Sequence, residues 1–170
     1  LYSIEKIRSA SDILLDPKGG GERVANMLRA ELPAHRYWAA LSCLYLGKEV
    51  THKHKSALNA LLKDSSRSVQ IAAAEALATF PTNKKGGNAA MEVLLANADP
   101  TTSSAYHAVA ALNALDHQPQ KVLEPYKQRI KRLPTNDPDV PGRPNGYAAR
   151  MHKHIDSPIP DYFPWEKNNR

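Results

Sequence analysis

Residues 36–47 read RYWAALSCLYLG, and this pattern recurs twice further along the chain. It returns 34 positions later at residues 70–80, QIAAAEALATF, and 35 positions after that at residues 105–115, AYHAVAALNAL. Large apolar side chains repeat at helical spacing in each copy, and alanines stand where two helices would approach closely. The repetition therefore predicts three equivalent helices at a period of about 34 residues.

Shorter apolar segments lie between these helices, at residues 24–32, 57–62, 90–95 and 122–133. Asp64 and Asp99 open turns between them, and we expect both to act as structural polar residues that cap the following helix. One helix pair cannot bury its own apolar face, so the pairs must stack. The predicted fold class is all-α: an α-α superhelix, built as a short solenoid of three to four helix pairs with a proline-rich C-terminal tail.

The chain divides into four predicted segments. A leading helix covers residues 1–16, helical repeats cover 22–133, a loop and terminal helix that could cap the repeats cover 134–156, and an extended tail covers 157–170. Seven of the thirteen prolines lie between residues 134 and 164, which supports the last two boundaries. The tail is read either as a disordered end or as a strap that docks on a protein surface.

Composition narrows the class of protein. The formal net charge of +6 indicates either an ordinary solvated surface or affinity for an acidic partner. A single cysteine, Cys43, excludes an internal disulfide bond. No run approaches the roughly 18 apolar residues of a membrane span, and no signal peptide is visible. Because the first residue is not methionine, we expect the chain to be a fragment of a longer protein.

Residues 63–77, KDSSRSVQIAAAEAL, resemble a HEAT repeat, with its acidic turn residue and the valine that opens its second helix. HEAT repeats usually carry an arginine where Gln70 stands, whereas Arg36 keeps that arginine in the preceding repeat. The resemblance implies an acid–base contact between neighbouring turns, with one such contact missing at Gln70.

A narrower resemblance rests on residues 36–40 (RYWAA), on the alanine-rich second repeat and on residues 110–116 (AALNALD). Together with SIEKI at residues 3–7, they resemble the helical-repeat region that follows the catalytic domain in exported bacterial sulfatases of the arylsulfatase and sulfoglucosamine sulfohydrolase types. The likeness covers about residues 4–133. It implies a non-catalytic C-terminal part whose sulfatase domain precedes residue 1, in the periplasm or outside the cell.

No catalytic residue is predicted within this chain. The sulfatase nucleophile motif, Cys/Ser-x-Pro-x-Arg, is absent, since Cys43 is followed by Leu-Tyr-Leu. The pairs His52/His54 and His152/His154 suggest metal ligands, but residues two apart on a helix point in different directions. We therefore expect solvated histidines at helix ends, with neither a metal nor a cofactor.

Three groups of residues are candidates for binding or structural roles. The first group is a candidate interface, because tyrosine, tryptophan and arginine anchor many interfaces, although they also fill cores: Arg36, Tyr37, Trp38 and Tyr45. The second is a candidate anionic-ligand patch, whose alternative is a polar capping face: Lys127, Arg129, Lys131, Arg132, Arg150 and Lys153. The third group contains the structural polar residues Asn113, Asp64 and Asp99. Asn113 is expected to be buried, with a surface or ligand-binding position as alternatives.

These groups support several functions. The leading hypothesis is a scaffold that packs on a catalytic or other protein domain, with a sulfated glycan as a further partner of the basic patch. The alternative is a HEAT-like nucleic-acid-binding protein, or an enzyme resembling a DNA glycosylase, with a basic concave face. We rank it lower because no acidic residue is matched to a predicted groove.

Overall fold

The computed structural model describes residues 20–81, 84–135 and 143–156, together with Glu5, Arg8, Ser11 and Asp12. Every regular element within these residues is helical and none is a strand, so the all-α prediction is confirmed. The predicted tail 157–170, and residues 136–142 of the predicted loop, lie outside the described residues. Most of the predicted leading helix does as well, although Glu5, Arg8 and Ser11 are helical.

Ten α-helical segments follow one another in the described ranges. They are α1 (Gly20–Met27), α2 (Pro33–Leu46), α3 (Lys48–Lys53), α4 (Lys55–Leu61), α5 (Arg67–Thr79), α6 (Lys84–Ala98), α7 (Ala105–Asp116), α8 (Gln120–Leu123), α9 (Lys127–Ile130) and α10 (Arg143–Asp156). A 3₁₀ turn, Glu124–Tyr126, joins α8 to α9. This turn contains Pro125, which cannot donate the backbone hydrogen bond that a continuous α-helix would need there.

Local sequence explains where the repeated helices begin and end. Pro33 opens α2, where its missing N–H and fixed φ are tolerated. Gly47 closes the same helix with a φ of 93°, a conformation that favours glycine, and its N–H bonds the carbonyl of Cys43. Ser104 caps α7, because its hydroxyl accepts a hydrogen bond from the N–H of His107. The local sequence thus accounts for both ends of α2 and for the start of α7.

The three helices predicted from the repeat pack side by side. α2 packs on α5, α5 on α7, and α7 on α10, and we call these four successively packed helices the layer. The intervening helices pack against this layer: α1 on α2, α4 on α5, and α6 on both α5 and α7. Stacking buries a continuous apolar core between the helices.

When the three repeated segments are aligned, equivalent positions in the middle of the helices are buried to the same extent. Ala39, Ala73 and Ala108 are fully buried, as expected where two helices approach closely. Leu77 and Leu112 are also buried, and the equivalent Cys43 is fully enclosed. Small residues at the contacts and leucines between them are therefore what bring the repeated helices together.

At one aligned position near the start of the repeated segments, exposure to solvent differs between the repeats. Ile71 is buried and Tyr37 is half-buried, but Tyr106 is 75% exposed. The helix boundaries give the reason: Tyr37 and Ile71 lie more than one turn inside α2 and α5, whereas Tyr106 is the second residue of α7. A side chain in the first turn of a helix lies at the end of the layer, where its neighbours do not enclose it.

The turn aspartates hold the turns and do not cap the helices. Asp64 Oδ1 accepts the N–H of Ser66 at 2.8 Å, and Asp99 Oδ1 accepts that of Thr101 at 2.9 Å. The structure therefore differs from the expected capping role, because each carboxylate bonds the second residue after it while the helix starts further on. The N-cap positions of α5 and α7 belong to Ser66 and Ser104.

Candidate functional site

Arg36, assigned to the candidate interface, is engaged inside the molecule. Its Nε and Nη2 bond the two carboxylate oxygens of Asp64 at 2.6 and 2.9 Å, and its Nη1 donates to the carbonyls of Ala30 and Glu31 at 2.8 and 2.6 Å. Only 13% of the side chain is exposed. Arg36 therefore fastens one inter-helix turn to the next, through a bidentate pair of the kind that arginine forms best.

The same contacts set the protonation of Asp64. Burial alone would raise the pKa of this carboxyl, but the hydrogen bonds from Arg36 and Ser66, with the charge of Arg36, hold the pKa below its usual range. In the next repeat, the amide of Gln70 donates to the backbone carbonyl of Asp64 at 2.6 Å. Gln70 thus stabilises the turn preceding its own helix.

Tyr37 and Trp38 are half-buried and pack on the apolar core. Their rings meet edge to face, with centroids 5.6 Å apart at an interplanar angle of 76°. Burial, and then the proximity of Tyr106 and Glu75, raises the pKa of Tyr37. The phenol of Tyr37 on α2 is therefore within electrostatic reach of Glu75 on α5 and of Tyr106 on α7.

Two tyrosines are the large apolar side chains most open to solvent among the described residues. Tyr45 is 76% exposed near the end of α2, and Tyr106 is 75% exposed at the start of α7. Tyr106 meets the ring of His107 edge to face at 5.7 Å, and His107 Nδ1 lies 2.7 Å from the hydroxyl of Ser104. Tyr106 is thus held on a supported helix end, where it can contact a partner.

A polar cluster that the sequence did not reveal joins α5 to the end of α7. His117 Nδ1 lies 2.8 Å from Glu75 Oε1. The hydrogen bond with Glu75 raises the pKa of His117, against the effect of burial and of Arg150, and Asp116 raises it further. The pair therefore favours the imidazolium form, which bonds the carboxylate most strongly.

A second part of this cluster joins α7 to α10. Asp116, 7% exposed, bonds Arg150 Nη2 through Oδ2 at 2.5 Å. Its other oxygen lies 3.4 Å from Nδ1 of the buried His154, and neither of these two atoms has a hydrogen-bond partner. The spacing of Arg150 and His154, four residues apart on one helix face, is the sequence signal that could have indicated a shared acidic neighbour.

We call the surface formed by Tyr37, Glu75, Tyr106, His117 and Arg150 the front row. Its members come from α2, α5, α7, the residue after α7, and α10. Successive members are linked by the proximity of Glu75 and Tyr106 to Tyr37, by the Glu75–His117 hydrogen bond, and by the proximity of Arg150 to His117. Tyr106 and Arg150 are its exposed members, whereas the Glu75 carboxylate is largely enclosed and is held by His117.

The candidate anionic-ligand patch is largely paired with acidic residues. Lys127 and Lys131 both bond Asp156, Arg129 bonds Glu92, and Arg150 bonds Asp116. The Lys131 ammonium also donates to the carbonyl of His152 at 3.1 Å. Of the six predicted cations, Arg132 and Lys153 have no ion pair within the described ranges.

A surface groove of about 370 Å³ runs beside this patch. Arg129, Arg132, Asp99 and Thr102 supply its polar groups, and Leu95, Ala96 and Leu133 supply its apolar walls. The groove therefore offers Arg132, the unpaired guanidinium, together with a short apolar wall.

The histidine pairs differ from the solvated state expected of them. His54 and His154 are buried, and His152 Nε2 donates to the carbonyl of Ile130 at 2.8 Å. Packing of α10 on α7 and α9 encloses His152 and His154, which a helix-end position by itself could not indicate. In the part of the chain that the structure describes, no three His, Cys, Asp or Glu side chains converge to hold a metal ion.

Asn113 and Cys43 complete the candidate residues. Asn113 is exposed on α7, so the structure differs from the buried role expected for it. Its position follows from helix geometry. Leu112 and Ala114 lie at the two edges of the buried face of α7, and Asn113, rotated by about 100° from each, points to the opposite, solvent-exposed face. Burial raises the pKa of the Cys43 thiol to about 12, which makes it a poor nucleophile at neutral pH.

Among the described residues, no helix combines the length and the apolar character that crossing a membrane requires. Comparison with family models, curated proteins and solved structures gives no match to this chain.

Proposed function

We propose that the chain is a non-catalytic scaffold and interaction domain, built as a short HEAT-like α-solenoid. The packing of α2, α5, α7 and α10 in succession supports this superhelical arrangement. The Arg36–Asp64 pair supports it as well, because it links the turns of two successive helix pairs across 28 residues. In such an array, rigidly stacked helices spread a binding surface over several repeats.

The observation that carries the proposal is the front row. Tyr106 is exposed at the start of α7 and interacts electrostatically with the half-buried Tyr37 of α2, while Glu75 of α5 bonds His117 after the end of α7. Exposed aromatic side chains set among polar groups are typical of protein interfaces, whose binding energy concentrates in a few such anchors. Tyr45, further along α2, adds a second exposed anchor on the same helical layer.

The partner that we propose is a protein domain of the same parent chain. The resemblance to exported bacterial sulfatases makes a sulfatase domain, placed before residue 1, the specific candidate. The chain would then act in the periplasm or outside the cell, and it would contribute positioning of the catalytic domain while that domain performs the hydrolysis.

The test is to express the domain encoded upstream in the same reading frame as a separate polypeptide and to measure its binding to this chain by calorimetry. We expect Tyr106→Ala and Tyr45→Ala each to weaken binding at least about tenfold, which corresponds to about 1.4 kcal/mol for an anchor residue. Sulfatase activity of the upstream polypeptide, assayed with a sulfate ester, tests the identity of the parent.

Lys121→Ala provides the control, because Lys121 is exposed on α8 and lies outside the front row. It should bind as the unchanged chain does. An upstream domain that binds equally well to all the variants would contradict the role of the front row. An upstream reading frame that encodes no sulfatase would contradict the sulfatase parent. The scaffold role would then be decided by the binding measurement alone.

A second candidate function is recognition of a sulfated glycan by Arg132 and Lys153. It is favoured by the absence of ion pairs at these two side chains within the described ranges and by the groove beside Arg132. Retention on heparin, lost in Arg132→Ser/Lys153→Ser and kept in Lys48→Ser/Lys55→Ser, would support it. The nucleic-acid alternative is less well supported, since Lys127, Arg129 and Lys131 are paired with acids; salt-sensitive binding to DNA would restore it.

A further inference from the structure

The surface groove beside the basic patch lies between the end of α6, the turn that follows it and the end of α9. Its volume of about 370 Å³ falls within the range of about 300–1,000 Å³ that small-molecule sites occupy. Leu95 of α6 and Leu133, which follows α9, form an apolar wall, and both side chains are more than nine-tenths buried. The groove is therefore large enough for a small ligand and has one apolar side.

The turn between α6 and α7 holds one wall of the groove in place. Asp99 Oδ1 accepts hydrogen bonds from the N–H and the hydroxyl of Thr101, at 2.9 and 2.6 Å. The backbone carbonyl of Asp99 accepts the N–H of Ser103 at 3.0 Å, and Arg67 donates to the hydroxyl of Ser103 at 3.1 Å. These bonds orient the Asp99 carboxylate through Oδ1, while no described residue bonds its second oxygen, Oδ2.

The opposite wall is held by α9. Arg129 pairs with Glu92 at 2.5 Å, which ties α9 to α6. The backbone N–H of Arg132 bonds the carbonyl of Arg129 at 3.1 Å, so the turn after α9 has a defined shape. The Arg132 side chain is exposed, and within the described ranges it has neither a hydrogen bond nor an ion pair. Its guanidinium group is therefore available in the groove wall.

Two opposite charges thus line one groove without pairing with each other. Asp99 and Arg132 both belong to its lining, yet no ion pair joins them. The other charged side chain of the lining, Arg129, is already neutralised by Glu92. The groove therefore offers one positive and one negative group beside an apolar wall. A ligand that matches all three features carries an anionic group, a cationic group and an apolar part.

This combination distinguishes a zwitterion from a simpler ion. A polyanion could bond Arg132, but the carboxylate of Asp99 would repel its remaining charges. A cation would meet the reverse arrangement, because it could bond Asp99 while Arg132 repels it. A ligand with both an ammonium and a carboxylate group satisfies the two side chains together, since a guanidinium bonds a carboxylate through two parallel hydrogen bonds.

We propose that this groove binds a small zwitterion, an α-amino acid with an aliphatic side chain. Arg132 bonds its carboxylate, Asp99 Oδ2 accepts its ammonium group, and its side chain packs along Leu95 and Leu133. The exposed Thr102, which also lines the groove, supplies a hydroxyl as a further polar neighbour. The site shares no residue with the front row, so the inference holds or fails independently of the scaffold role and of a sulfatase parent.

The test is a titration of the 170-residue chain with leucine, followed by nuclear magnetic resonance of the backbone amides. We expect saturable shifts at millimolar leucine, concentrated at residues 95–103 and 129–133. Glycine lacks the apolar side chain and should bind several-fold more weakly. N-acetylleucine lacks the ammonium group and leucine methyl ester lacks the carboxylate, so each should bind at least about tenfold more weakly than leucine.

Two substitutions test the roles of the charges. Asp99→Asn removes the charge but keeps a side-chain oxygen for the bonds from Thr101, and Arg132→Gln changes an exposed side chain, so circular dichroism should show both variants folded. Each should lower the affinity for leucine at least about tenfold. Lys121→Ala, exposed on α8 and outside the lining, is the control and should bind leucine as the unchanged chain does.

Three results would overturn the proposal. The first is the absence of shifts at millimolar leucine, or shifts scattered over the whole chain. The second is an unchanged affinity for leucine in Asp99→Asn or in Arg132→Gln. The third is heparin binding that becomes tighter in Asp99→Asn while leucine has no effect, because that result would assign the groove to a polyanion.

Discussion

The two ends of the helical layer differ in chemistry. On α10, Arg150, Lys153 and Asp156 face solvent, and ion pairs join Arg150 to α7 and Asp156 to α9. On α2, residues 37–46 carry no charge, and the Arg36–Asp64 ion pair at its start points inward to the turn of the next repeat. A stacked array tolerates an exposed end only when that end is polar. Within the described residues, the two end helices therefore carry different side chains: charged ones on α10 and mainly apolar ones on α2.

The two ends of the layer are stabilised by different kinds of contact. At the α2 end, one enclosed arginine connects a carboxylate and two carbonyls, so the loss of that side chain leaves several polar groups without a partner. At the α10 end, several partly exposed pairs share the task, and water can replace most of them. The expected effects of substitution should thus be large at α2 and graded at α10.

Arg36→Ala should have the largest effect. It leaves the buried carboxylate of Asp64 and the carbonyls of Ala30 and Glu31 unpaired, which should lower the free energy of unfolding by about 3 kcal/mol. Urea denaturation followed by circular dichroism measures the change. Arg67→Ala removes an exposed arginine that bonds Thr102, and it should cost less than about 0.5 kcal/mol. Equal losses in the two variants would contradict the special role of the α2 end.

The same pair predicts an acid dependence. Because the folded state holds the pKa of Asp64 below its ordinary range, the stabilisation is present above the unfolded pKa of about 3.9 and is lost as the pH falls through the lower folded pKa. The difference in stability between the unchanged chain and Asp64→Asn should therefore shrink below about pH 4. A difference that stays constant down to pH 2 would show that the charge of Asp64 makes no contribution.

Asp116→Asn should have the next largest effect, at the other end. The change removes the charge that bonds Arg150 and faces His154, and we expect a loss of about 1.5 kcal/mol, since Arg150 is partly solvated. Hydrogen exchange should show the loss concentrated in α10. Asn113→Ala, one turn earlier on α7 and exposed, is the control and should change little. A loss spread evenly over the whole chain would argue against a separate α10 contact.

These residues also show what the sequence could and could not predict. The alanine and leucine columns were predictable, because helical periodicity fixes which side of a helix is apolar. The Asp116–Arg150 contact was not, because the two residues are 34 apart and their meeting depends on how α10 lies on α7. The exposure of Tyr106 was missed for a different reason: the repeat aligns residues, but α7 begins later within its repeat than α2 and α5 do.

Glu75→Gln should have a smaller effect, which depends on pH. The hydrogen bond with Glu75 raises the pKa of His117 in the folded state, so its stabilisation is fully present below the unfolded value of about 6.5 and is lost as the pH rises through the folded pKa. Because His117 is 37% exposed, we expect less than about 1 kcal/mol. The cost of the substitution, measured at pH 6 and at pH 9, should be larger at pH 6. The opposite order would contradict the assignment of the charged pair.

Asp156→Ala should change stability least, because the carboxylate is exposed, and it should instead alter binding to polyanions. Asp156 bonds Lys127 and Lys131, and its removal frees both ammonium groups beside Arg132. The salt concentration that elutes the chain from heparin should therefore rise. Glu49→Ala makes the same change in net charge on α3, next to the uncharged end, and separates a local from a global effect. If the two variants shift the elution equally, net charge alone governs retention. If only Asp156→Ala raises the eluting salt concentration, Lys127 and Lys131 belong to a binding surface that Asp156 partly neutralises.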